Sequence, residues 1–152
     1  MAPIEYRCLP GQPTAEVLAA VAEINHEIFG FNETAAILAG LFGQKGKLLV
    51  CLAEQGGQTV GYKIGFEGDP GTFESWRGGV LPSARRQGIA EHLMGLQHRW
   101  CQENGFRVIK TTTNSDNTPM IILNLKSGFE IVGTFVHRQK RLKVLQEKWL
   151  DA

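Results

Sequence analysis

Residues 78–94, GGVLPSARRQGIAEHLM, join a strand to a helix through a turn holding two arginines and a glycine. This junction constrains the chain more than any other stretch. TFESWRGGV (72–80) reads as a strand that ends near Val80, and Pro82 prevents its continuation. From Gly88 the apolar period becomes helical: Ile89, Leu93, Leu96 and Trp100 form a stripe, while Glu91, His98, Gln102 and Glu103 occupy other faces. A helix start presents unpaired backbone N–H groups, which together with the helix dipole attract phosphate. Gly88 and Ala90 let a large anion approach that backbone, and Arg85 and Arg86 place positive charge beside it. A pyrophosphate suits this chemistry better than a lone monophosphate. An ordinary strand-to-helix turn with solvated arginines accounts for the same residues, so the junction alone does not decide.

The flanking sequence divides by period. Ile4 to Leu9 is a short strand closed by Pro10-Gly11 and Pro13. Thr14 is placed to cap a helix carrying Val17, Leu18, Val21, Ile24 and Ile28, with Gly30 at its end. Asn32 is the expected cap of a second helix bearing Ala36, Ile37, Leu41 and Phe42, stopped by Gly43. KLLVCLAE (47–54) and TVGYKIGFE (59–67) are strand-like, and Gly56-Gly57 between them predicts a tight hairpin. Gly68-Asp69-Pro70-Gly71 turns into the strand at 72–80, completing an antiparallel meander. Past the helix, Asn104-Gly105 leads to FRVIKTTT (106–113), and the strand–helix–strand order predicts a parallel crossover. A short helix follows Asn117 as far as Lys126, Gly128 ends it, and residues 129–137 and 142–150 read as closing strands. The order β-α-α-β-β-β-α-β-α-β-β has no repeat or linker and predicts one mixed α/β (α+β) domain over residues 1–152.

Sixteen Lys and Arg against 15 Asp and Glu give a net charge of +1, which argues against a nucleic-acid partner. HRQKRLK (137–143) is a short basic run, read as a solvated strand connection. No stretch approaches about 18 apolar residues, and MAPIEYRCLPGQP has no signal-peptide pattern. The expectation is a cytoplasmic chain with no membrane partner. Cys8, Cys51 and Cys101 cannot all pair, which fits a reducing compartment. His26, His92, His98 and His137 lack ligand spacing, so no metal site is expected. There is no G-x-G-x-x-G fingerprint, and Leu48 follows Gly46-Lys47 where a P-loop requires Ser or Thr.

Val80-Leu81-Pro82 followed by Arg85-x-x-Gly88-x-Ala90 resembles the acetyl-CoA motif of the GCN5-related N-acetyltransferase superfamily. A second signature of that family follows about thirty residues later: Asn117-x-x-Met120-x-x-Leu123-Asn124-x-Lys126-x-Gly128-Phe129. The resemblance covers residues 47–150, and the two preceding helices match the family's order. It implies the acyl-CoA N-acyltransferase-like fold, a mixed central sheet flanked by helices, with acetyl-CoA as acyl donor. The implied cofactor-binding set is Val80, Leu81 and Pro82 at the strand end, Arg85, and the amides of Arg86, Gln87, Gly88, Ile89 and Ala90 around the pyrophosphate. Asn117 is implied to meet the pantetheine arm, and Asn124 falls in the register where the family often has a tyrosine.

Acetyl transfer to an amine needs an uncharged nucleophile, a route for its proton and a stabilised oxyanion. The resemblance implies direct attack on the thioester, with Glu74 in the position of the family's glutamate base. Glu74 lies six residues before Val80, so both share a face unless a bulge intervenes, and Gly78-Gly79 is the expected place for one. Asn124 cannot act as a phenolic acid. Tyr62 on a neighbouring strand is the substitute considered, and Asn114 is expected near the same cleft. The expected acceptor is a small-molecule or amino-acid-like primary amine. Protein N-terminal or lysine acetylation and a non-catalytic acyl-CoA-binding or sensory role are the alternatives, and a homodimer stays open.

Overall fold

Short turns order the first half of the sheet in the computed structural model, which describes residues 2–138 and 140–150. β1 (Ile4–Pro10) leads through α1 (Ala15–Phe29) and α2 (Ala35–Phe42) into β2 (Gly46–Gln55), β3 (Gln58–Glu67) and β4 (Thr72–Val80). Gly56 and Gly57 close the β2–β3 hairpin with φ of +59° and +79°, the conformation such a two-residue turn demands. These four strands are successive antiparallel neighbours. α3 (Ile89–Glu103) then carries the chain over to β5 (Val108–Asn114), which pairs parallel to β4. α4 (Thr118–Lys126), β6 (Glu130–Val136) and β7 (Leu142–Trp149) complete the chain. One seven-stranded sheet results, in the order β1-β2-β3-β4-β5-β7-β6.

The helices lie on opposite faces of this mixed sheet. Gly61 and Tyr62 are consecutive on β3 and therefore point to opposite sides. A Cβ on Gly61 would sit 3.1 Å from Ile89 of α3, whereas Tyr62 pairs with Gly79, whose Cβ would lie 3.0 Å from Ile28 of α1. The core is made by the inner strands and these helices, with Leu49, Val50, Ile64, Phe73 and Ile109 fully buried.

Several local expectations change. Thr34 caps α2, its hydroxyl accepting from the Ile37 amide, so Asn32 is not the cap. α3 buries Ile89, Leu93, Met94, Gln97, His98 and Cys101. Its inner face is thus rotated from the Leu96–Trp100 stripe, because Trp100 packs sideways on Phe73 and Phe106. The bulge in β4 falls between Ser75 and Arg77, opposite Gly65 and Ile64, and not at Gly78-Gly79.

β4 and β5 pair only at Thr72–Glu74 and Val108–Lys110. Beyond Glu74, β4 pairs with β3 alone and β5 with β7 alone, so the sheet splays into a wedge. Thr111 Oγ1 donating to the Ser75 carbonyl at 3.2 Å is the last link before the gap.

Candidate active site

The wedge opens into a cavity of about 470 Å³. Ile28 and Phe29 of α1 wall one side, Leu93 and Met94 of α3 another, and Pro119, Met120 and Leu123 of α4 a third. Tyr62, Lys63, Gly78, Gly79 and Val80 contribute the strand side. Of the residues expected from sequence, Val80, Arg85, Ala90 and Asn117 meet here. A neighbouring depression of about 220 Å³ shares Val80, Arg85, Ala90 and Leu123, and adds Arg86, Gly88, Ile89 and the carboxylate-bearing Glu91.

The turn into α3 leaves backbone donors open. Arg86 and Gly88 adopt positive φ, +65° and +74°, so successive amides turn toward one side. No side chain caps α3. Among the described residues, the amides of Arg86 through Glu91 donate to no protein acceptor. Arg85 Nε donates to the Val80 carbonyl at 3.2 Å, holding the arginine beside the strand end. Gln87 faces away, with Nε2 donating to the Ala84 carbonyl at 2.9 Å and to Gln55 across the β2–β3 hairpin. Leu81 enters the core and its amide donates to the Val60 carbonyl, while Pro82 opens a single 3₁₀ turn over Pro82–Ala84. Leu81, Pro82 and Gln87 shape this turn and do not line the cavity. A pyrophosphate-bearing group fits the free amides, the left-handed Gly88 and the two arginines.

Three ionisable side chains line the cavity: Tyr62, Lys63 and Arg85. Among the described residues, no carboxylate does. The Tyr62 hydroxyl donates to Asn25 Oδ1 of α1, and burial pushes the phenol up to about 12. Burial also lowers the Lys63 ammonium to about 8, a shift that the nearby Cys51 thiol opposes. Lys63 was not legible in sequence, where it is one lysine in a strand.

Asn117 caps α4, its side chain accepting from the Met120 amide, and lines the cavity from that position. Asn114 ends β5 with a buried Oδ1 that has no partner among the described residues.

Glu74 and Asn124 lie outside the cavity. Glu74 is the last β4 residue paired with β5, opposite Lys110 at the apex of the wedge. Its β3 partner Phe66 packs on Trp76, which packs on Phe42 of α2. Glu74 therefore faces α2, whereas Val80, paired with Gly61, faces α3. One bulge residue reverses the expected parity. Burial raises the Glu74 carboxyl above its ordinary range, with Lys110 opposing. Asn124 is buried, and its Nδ2 donates to Gln146 Oε1 at 2.9 Å, so Leu123 takes the cavity position beside it. Trp149 is exposed.

The sequence model of the acetyltransferase (GNAT) family matches residues 15–129. No curated protein matches the sequence. Solved structures share the fold at low identity. The ribosomal-protein-S18-alanine N-acetyltransferase from Escherichia coli is 14% identical, with a TM-score of 0.79 and 96% of each chain covered. The ribosomal-protein-alanine N-acetyltransferase from Brucella melitensis is 22% identical, with a TM-score of 0.76, covering 93% of this chain and 99% of that one. The PaiA N-acetyltransferase from Thermoplasma acidophilum, solved in complex with coenzyme A, is 15% identical, with a TM-score of 0.75 and coverage of 97% and 99%. Through a family model spanning three quarters of its length, the chain belongs to the acetyltransferase (GNAT) family.

Proposed function

We propose that this protein transfers an acetyl group from acetyl-CoA to a primary amine of a small or amino-acid-like acceptor. The observation that carries the reading is the wedge beyond Glu74, which ends on a helix start whose amides have no protein acceptor. The amides of Arg86 to Ala90 would hold the pyrophosphate, and Arg85 and Arg86 would add charge. The edge of β4 facing the wedge, unpaired from Gly78 to Val80, would take the amides of the pantetheine arm, with Asn117 opposite. When bound, acetyl-CoA supplies an activated acyl carbon. A coenzyme A complex is known for the PaiA structure, which has the same fold.

The chain's own part is to orient the amine and accept its proton. Glu74 is proposed as the base, acting through ordered water. It lies four positions before Gly78, roughly 13 Å of extended chain, too far for direct contact with an amine held there. Its raised carboxyl supports a base working nearer neutral pH.

A second reading has a protein amino terminus as acceptor, favoured by the likeness to the two ribosomal-protein-alanine N-acetyltransferases. Cys8, Cys51 and Cys101 are free thiols, with the sulfurs of Cys8 and Cys51 3.2 Å apart. No helix among the described residues is long and apolar enough to cross a membrane.

The test is thiol release from acetyl-CoA with diamines, amino acids, alanine-initiated peptides and lysine peptides as acceptors. Saturable turnover with a small amine supports the first reading, and turnover confined to alanine-initiated peptides supports the second. Tight coenzyme A binding without turnover of any acceptor would return the protein to a sensory role.

A further inference from the structure

We propose that Lys63 is itself an acetyl acceptor, the one primary amine among the described residues that lines the cavity, and that it becomes acetylated in cis when acetyl-CoA occupies the wedge. The inference rests on the reading of the cavity given above.

Register directs this side chain. Lys63 alternates with Tyr62 on β3, so it points to the α3 side while Tyr62 points to α1. Its cross-strand partners are Cys51 on β2 and Gly78 on β4. Gly78 has no side chain to shield it: a Cβ there would lie 3.7 Å from Lys63 Cγ. The lysine stem thus borders the wedge at the level of Gly78 and Gly79.

The charge around it favours a free amine. Among the described residues, Lys63 Nζ has neither a hydrogen-bond partner nor a carboxylate within ion-pair distance. The groups that act on it or share its surroundings are Cys51 from β2, His98 from α3, Lys148 from β7 and Arg85 across the cavity. His98 is held neutral, lowered to about 3 by burial and by Lys148 and Lys63. Lys148, 3.0 Å from His98 Nδ1, is itself lowered by burial. His98, Lys148 and Arg85 offer no negative charge, and the one opposing influence is Cys51, whose sulfur lies 3.2 Å from that of Cys8, a thiol lowered by this contact. A lysine in this setting sheds its proton near pH 8, far below an exposed lysine. Desolvated lysines are activated nucleophiles for this reason.

The step balances without another reagent. The Nζ lone pair attacks the thioester carbonyl carbon, a C–N bond forms, and the C–S bond breaks with its electron pair on sulfur. The proton lost from nitrogen passes to that sulfur, leaving an amide on Lys63 and free coenzyme A thiol. The product is neutral and longer, so it removes the cation and fills space beside Gly78. An external amine competes for the same acyl group, so the modification is fastest without acceptor.

The test is incubation of the folded protein with acetyl-CoA and no acceptor, followed by intact mass and peptide mapping. Calorimetry first establishes coenzyme A binding. The expected result is one acetyl group on Lys63, with a rate that saturates in acetyl-CoA and rises about tenfold per pH unit below pH 8 before levelling. Excess coenzyme A should protect Lys63 but not the exposed Lys47 and Lys126. Urea-unfolded protein should lose the preference for Lys63. Lys63→Arg and Lys63→Met should show no fast acetylation, and mapping of the wild type stands even if both variants fold poorly. Binding of coenzyme A with no label at Lys63, or with label there no faster than at Lys47, would overturn this inference alone. Failure to bind coenzyme A would overturn the reading of the cavity and this inference with it.

Discussion

Asn124 Nδ2 donates to Gln146 Oε1 at 2.9 Å, and both side chains are buried. Gln146 Nε2 in turn donates to the Ile121 carbonyl at 3.3 Å, so the pair stitches α4 to β7. A residue in the register of a leaving-group contact is thereby committed to holding the cavity's third wall. Nothing in the cavity depends on its amide directly.

Replacing Asn124 with alanine should act on stability and leave the chemistry largely alone. It leaves Gln146 Oε1 without its donor, a loss of roughly 1–3 kcal/mol for a buried unpaired group. Urea denaturation should show that loss, while coenzyme A affinity stays within about twofold. Unchanged stability with a large fall in turnover would show that Asn124 serves the reaction.

Glu74→Gln should lower acetyl transfer by roughly 10²-fold, the lower end expected for a positioned base. Coenzyme A affinity should hold, since Glu74 lies outside the cavity lining. A base must be ionised, and burial raises this carboxyl. The wild-type kcat/KM should therefore climb with pH through a limb displaced above the ordinary glutamate range, and the variant should lose that limb. A profile identical in both proteins would remove Glu74 from the proton path.

Tyr62→Phe tests whether the phenol has any acid role. Its proton already serves Asn25, and a pKa pushed up to about 12 makes it a poor donor to a thiolate. Turnover should fall less than about tenfold, with a stability loss of roughly 1–3 kcal/mol from the orphaned Asn25. A collapse of kcat without loss of stability would identify Tyr62 as the acid.

The element order, the hairpin at Gly56-Gly57, the caps at Thr14 and Asn117, and the turn at Arg85–Ala90 were legible because each rests on local chemistry. Parity and depth were not. The bulge between Ser75 and Arg77 arises from pairing with β3, and it alone separates the faces of Glu74 and Val80. The rotated inner face of α3 is set by packing on β2 and β3, which brings His98 and Gln97 inside. Lys63 becomes informative only when Gly78 is seen beside it and, among the described residues, no carboxylate shares its cavity.

His98 gives the fold a pH dependence. Its folded value of about 3 lies below the ordinary 6.5, so the unfolded chain binds the proton more readily. This contribution is complete above about pH 6.5 and is lost as the pH falls toward 3, at up to about 1.4 kcal/mol per pH unit. Thermal unfolding should show His98→Asn less sensitive than the wild type between pH 6 and pH 4. Equal slopes would place the acid sensitivity elsewhere.

The placement of coenzyme A at the start of α3 is tested most directly by calorimetric titration of the wild type and Gly88→Glu. Gly88 holds φ of +74° with open space around it, so the substitution adds backbone strain of roughly 1–2 kcal/mol without a clash. Gly88→Asn, which tolerates that conformation and adds no charge, is the control for folding. Wild type and Gly88→Asn should bind coenzyme A, while folded Gly88→Glu, with a carboxylate among the amides of Arg86–Ala90, should lose affinity at least a hundredfold. Undiminished binding by folded Gly88→Glu would contradict the account and move the ligand away from this turn.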